Sequence, residues 1–179
     1  MACLTKVSNW RLAAQFTQAL GFLVGVLMKK VKYELIIDAP PKQVFEVSQD
    51  YSIRHLWDPF PERIELLDGK KSISKGVKAL VVAKNGLKMV VEFIQVSERH
   101  TAIKMIKGPF YLSSFAGSWV FKEYDCKTKA VFVYSIGIKK YMFPVFAEKI
   151  AAIYFTKEVK KRLDGLKKYC EFSLTNGSY

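Results

Sequence analysis

From residue 31 onward the apolar positions change period three times. Over Val31 to Ile37 they alternate, with Tyr33, Leu35 and Ile37 on one side and Lys32, Glu34 and Ile36 on the other, which predicts a half-buried strand. Asp38-Ala-Pro-Pro ends it. Pro40 and Pro41 suit a turn and a first helical turn, and Val44, Phe45 and Val47 then predict a helix of two turns. Asp50 is placed to cap a second short helix or turn over Tyr51 to Trp57. Pro59 and Pro61 close that segment, and Ile64, Leu66 and Leu67 begin an edge strand.

After Gly76 the alternation returns and persists. Val77 to Ala83 and Leu87 to Val96 flank Asn85-Gly86, a pair that tolerates the positive φ of a two-residue hairpin turn. Thr101 to Ile106, Ser114 to Tyr124 and Ala130 to Ile138 follow as a meander, with His100 in a turn. Beyond Pro144 the period becomes 3.6: Ala152, Phe155, Val159, Leu163, Leu166 and Cys170 lie on one stripe of a helix of about 28 residues. Strand, two short helices, five or six antiparallel strands and a long C-terminal helix make an α+β order. Its economical packing is a curved sheet of six or seven strands gripping the helix, with space between them for an apolar cavity.

Ahead of this pattern, Leu12 to Met28 is an apolar stretch interrupted by Gln15, Thr17 and Gln18 and followed at once by Lys29 and Lys30. Its strictly apolar part, Ala19 to Met28, is too short for a bilayer that needs about 20 residues. The stretch fits a marginal signal or anchor, a helix lying on the domain or at the membrane interface, or sequence preceding a natural start at Met28. We take 1–29 as leader, 30–172 as one domain and 173–179 as tail. Half of the 179 residues are hydrophobic and a quarter charged, which excludes a disordered chain.

Charge adds a second layer. The formal net charge is +13, and between Lys139 and Lys168 nine basic residues face three acidic ones. Such a surface attracts anions, so an anionic membrane surface is a candidate partner, beside the plainer reading of a solvated helix face. Nucleic acid is disfavoured, because the strands lack an interleaved basic and aromatic pattern. The three cysteines, Cys3, Cys126 and Cys170, are odd in number and far apart, and the two histidines, His55 and His100, have no ligand spacing. That argues against a disulfide framework and a metal site and points to a reducing compartment, the cytoplasm, with a peripheral position at the membrane left open. No phosphate loop, dinucleotide fingerprint or nucleophile elbow is present, and no cofactor is expected.

The order of motifs resembles the START-like, or Bet v 1-like, superfamily of polyketide cyclases/dehydrases and lipid-transport proteins. The residues are Ile37-Asp-Ala-Pro-Pro-Lys-Gln-Val-Phe45, Trp57-Asp-Pro59, Gly76, Gly117-Ser-Trp-Val-Phe121 and the long basic C-terminal helix, over about residues 30 to 172. The resemblance implies a helix-grip fold and a ligand cavity. It does not choose among the family's lipid carriers, metabolite binders and aromatase/cyclases.

If the resemblance holds, the loops bearing Trp57 and preceding Trp119 lie near the cavity mouth. Trp57, Phe110, Tyr111 and Trp119 become candidate ligand contacts, with Phe121 and Tyr134 on the strands and Phe146, Ile150 and Tyr154 on the apolar half of the helix. Each also fits a plain core role. His55, Asp58 and Glu92 are the acid/base candidates. Glu92 reads more simply as a residue of the wetted face paired with Lys104 on the next strand, and His55 as a surface residue. The leading expectation is a carrier or sensor of a hydrophobic small molecule, lipid or isoprenoid-like, in a monomer or homodimer. The alternative is a polyketide cyclase/dehydratase-type enzyme using the same cavity.

Overall fold

The computed structural model describes residues 26–139 and 145–175, with the side chains of 29–139 and 153–172. The elements are β1 (Val26–Ile37), α1 (Pro41–Gln49), α2 (Arg54–Trp57), β2 (Pro61–Leu66), β3 (Lys78–Ala83), β4 (Lys88–Ser97), β5 (His100–Lys107), β6 (Leu112–Tyr124), β7 (Lys127–Lys139) and α3 (Val145–Thr175). The seven strands form one antiparallel sheet in the order β1-β7-β6-β5-β4-β3-β2. Six of them pair with their neighbours in sequence, as an antiparallel meander must; β1 alone closes a long loop, running the length of β7 from Val26↔Lys139 to Ile37↔Thr128. Register shifts in β2, β4, β5 and β6 insert bulges that bend the strands and let the sheet curve round the helix.

Strand alternation builds the inner face. In β7, Ala130, Phe132, Tyr134 and Ile136 are buried while Lys129, Val131, Val133 and Ser135 are half-buried on the convex side. Met89, Val91 and Phe93 do the same in β4. Facing them, α3 buries Val159, Leu163, Leu166 and Cys170, the expected stripe. Lys167 Nζ of α3 donates to the Ile36 carbonyl at 2.6 Å, and Glu171 accepts from the Asp38 N–H at 2.8 Å, so the helix end is fastened to β1.

Three details depart from the sequence reading. The boundary placed at residue 29 falls inside β1, which starts at Val26, because Val26 to Lys30 find partners along β7 that alternation alone did not reveal. His100 is the first residue of β5, opposite Ser97, and not a turn residue. The β3–β4 hairpin is a three-residue loop: Gly86 N–H donates to Ala83 O, Ala83 N–H to Leu87 O, and only Gly86 takes positive φ (+81°), so Asn85 instead fixes the turn by accepting from Leu87 N–H.

Candidate functional site

The space between sheet and helix is a cavity walled by alternate residues of β2 to β7. Ile64, Ala79, Val81, Met89, Val91, Phe93, Ile103, Phe115, Trp119 and Phe132 supply the apolar wall. Trp119 and Phe132 are cross-strand partners in β6 and β7, with centroids 3.8 Å apart and planes 10° from parallel. Gly117 faces Tyr134 in the same ladder, and a Cβ there would lie 3.1 Å from the tyrosine ring, so the glycine makes room for Tyr134 to lean across. About 60 Å³ is open to the centres of water molecules, room for about four to six waters.

One end of the cavity is polar. Arg54 and Trp57 sit three apart on α2 and turn inward together, while His55 and Leu56 between them face solvent. Asp58, the residue capping α2, is fully buried and accepts from Arg54 Nε at 2.8 Å and from Arg162 Nη2 of α3 at 2.7 Å. Arg162 Nε adds contacts to both carboxylate oxygens, and its Nη1 donates to the Tyr134 hydroxyl. Arg54 also donates to the Ser48 carbonyl. The guanidiniums lie against ring faces: Arg54 is 4.7 Å from the Trp57 ring and Arg162 4.9 Å from that of Phe132.

Electrostatics follow from this geometry. Burial pushes the Asp58 carboxyl up, but Arg162 and Arg54 outweigh it and hold the group below the usual aspartate range. Burial likewise works against the Arg162 cation, and Asp58 overcomes it, so Arg162 stays protonated. Burial raises the phenols of Tyr134 and Tyr51 against the opposing pull of the two arginines, which keeps both rings neutral. Thr101, 2% exposed and opposite Trp119 on β5, lines the same end with its Oγ1 lacking any hydrogen-bond partner.

The residues singled out from the sequence separate accordingly. Trp119 and Tyr134 are in the cavity wall. Trp57 and Phe121 are buried behind Trp119, their rings 6.1 Å from it, and do not reach the wall. Trp57 is held there by Arg54 stacked on its ring. Phe110 is 71% exposed and packs on Tyr111, which is partly buried against the core, and neither is in the described wall. Tyr154 is turned out too, its hydroxyl accepting from Asn85 Nδ2 at 3.0 Å. The side chains of Phe146 and Ile150, and the leader through residue 25, lie outside the described residues. His55 is exposed, and Glu92 pairs with Lys104 at 3.1 Å on the outer face. Asp58 stands behind the wall, bound to Arg54 and Arg162, which line the cavity in its place.

Sequence reasoning passed over Arg54, Arg162 and Thr101. A signal for Arg162 was present: it falls three residues after Val159 and four before Leu166, in the middle of the apolar stripe. Arg54 and Asp58 are likewise four apart around Trp57, the spacing of a helical ion pair. Among the described residues no group of three or more His, Cys, Asp or Glu could hold a metal. Cys126 is exposed, and burial pushes the Cys170 thiol up to about 12, which makes it a packing residue.

A sheet wrapped on one long helix is shared with known proteins. The family model described as polyketide cyclase / dehydrase and lipid transport matches residues 28–171. The chain belongs to this family. Its fold is also that of the Zhui aromatase/cyclase from a Streptomyces species, at TM-score 0.67 and 18% identity over 83% of this chain and 96% of that one. A protein of Thermus thermophilus gives 0.66 and 19%, over 84% and 100% of the two chains, and truncated norcoclaurine synthase from Thalictrum flavum 0.59 and 17%, over 82% and 95%. At these identities the likeness is one of fold. No curated protein matches the sequence.

Proposed function

We propose that the protein binds and carries, or senses, a hydrophobic small molecule, lipid or isoprenoid-like, in the cavity between the sheet and α3. The observation that carries this reading is the wall itself, aromatic and branched aliphatic from β2 to β7 with polar groups gathered at one end. Each Å² of apolar ligand surface removed from water there contributes about 25 cal/mol, and the polar end orients what enters. The exposed lysines of α3, Lys157, Lys160, Lys161 and Lys168, give the carrier a basic outer face for an anionic membrane.

A second reading, a polyketide cyclase/dehydratase-type enzyme, draws on Tyr134 and Arg162, whose hydroxyl and guanidinium are placed to polarise a carbonyl in the cavity. His55 and Glu92 do not support it from where they stand. Native mass spectrometry of protein purified from a cell, followed by organic extraction, tests the lead. A co-purifying hydrophobic molecule is the expected result. An empty protein that also takes up no apolar probe overturns the carrier reading, and turnover of an added polyketide analogue replaces it with the second.

A further inference from the structure

The polar end of the cavity is unbalanced in both charge and hydrogen bonding. Two buried guanidiniums, Arg54 and Arg162, line the cavity and share one carboxylate, that of Asp58 behind them, and no acidic residue lines the cavity among the described residues. Tyr134 and Tyr51 are neutral, so the cluster carries one net positive charge in a low-dielectric site. Its donors also outnumber its acceptors: Tyr134 accepts from Arg162 and retains its own O–H, and the Thr101 hydroxyl, nine-tenths buried and more, is without a partner. A buried cation is tolerated when paired, and ring faces replace a counter-ion only in part. What the site lacks is a negatively charged acceptor.

From this imbalance we infer that the ligand is a hydrophobic monoanion, its carboxylate or equivalent anionic oxygen group held at the Arg54–Arg162 end beside Tyr134 and Thr101, and its apolar body lying along Trp119 and Phe132. The inference rests on the hydrophobic-ligand reading above and narrows it to one chemical class. A neutral lipid of the same shape would fill the wall and leave the donors unmet.

The test compares two probes of one skeleton, 4-phenylbutanoate and 4-phenylbutan-1-ol, titrated into the full chain and followed by amide chemical shifts. The carboxylate is expected to bind about tenfold or more tightly than the alcohol, the ratio set by one charge-assisted hydrogen-bonded contact. In Thr101→Val, which keeps shape and removes the hydroxyl, the carboxylate weakens severalfold and the alcohol does not. Equal affinities, or an alcohol that binds more tightly, overturn the anion and leave the hydrophobic reading standing. Absence of binding by both overturns the hydrophobic reading and this one with it. Arg162→Met is the less decisive variant, because it also removes a partner of buried Asp58; loss of carboxylate preference in a folded R162M protein supports the assignment, and an unchanged preference overturns it.

Discussion

Asp58 is the residue on which the most structure converges. It caps α2, joins it to α3 through Arg162, and accepts from the Phe60 N–H at 3.2 Å. Removing one partner from a buried ion pair strands the other, so Asp58→Ala is expected to lower stability by about 3–5 kcal/mol in urea denaturation. Because the native carboxyl titrates below its ordinary 3.8, the unfolded chain takes up the proton first. The stability Asp58 contributes is present above the unfolded value of about 4 and is lost progressively as the pH falls from there through the lower native value. Glu34 acts in the same direction: hydrogen bonds from Lys129 and Lys32 lower its carboxyl to about 2. Urea midpoints measured from pH 5 to pH 2.5 are therefore expected to fall steeply in the wild type and less steeply in Asp58→Asn, in which one of the carboxyls held below its ordinary value is gone.

Among the elements, the long helix illustrates both what the sequence displays and what it conceals. The stripe from Val159 to Cys170 was legible because burial on a helix leaves a 3.6-residue period, and the strands were legible for the corresponding reason with a period of two. Element ends were less so. Val26 to Lys30 in β1, His100 in β5 and the three-residue turn at Gly86 depend on partners distant in sequence or on single dihedral angles, which no local pattern encodes. The polar cluster was hidden for a related reason: Arg54, Asp58 and Arg162 become one group only when α2 and α3 meet. That meeting is close. A Cβ on Gly165 would lie 2.2 Å from the Trp57 carbonyl oxygen, a backbone atom that cannot swing aside. Gly165→Ala should raise intrinsic helix stability by about 1 kcal/mol, yet here the overlap dominates, and a net loss of about 1–3 kcal/mol in thermal or urea unfolding is expected. A stabilised variant would show that α3 does not approach α2 this closely.

For the whole molecule, charge and sheet edges set the predictions. Of the +13 net charge, a large share lies on α3 and the N-terminal segment. Removing residues 1–25 is expected to weaken association with vesicles of anionic lipid, more at low salt than at high, as cosedimentation would measure; unchanged association would mean that α3 supplies the attraction by itself. The cut must stop at 25. Extending it to 28 deletes Val26, Leu27 and Met28, which pair with Lys139, Ile138 and Gly137, and this longer truncation is expected to unfold at lower denaturant concentration than the shorter one. No helix among the described residues is long and apolar enough to cross a membrane, and the truncation probes attraction to the bilayer surface.

The pairing of β1 with β7 also sets an order of events in time. Strands β2 to β7 each find a partner within a short loop, whereas β1 must wait for residues about a hundred positions downstream, and α3, which packs on it, comes later still. Closing that loop is entropically slow relative to zipping the hairpins. In pulse-labelled hydrogen exchange during refolding, amides of β3 to β6 should gain protection before those of β1. During synthesis β1 then emerges well before its partner β7, and until β7 is available its unpaired edge is open to misassociation.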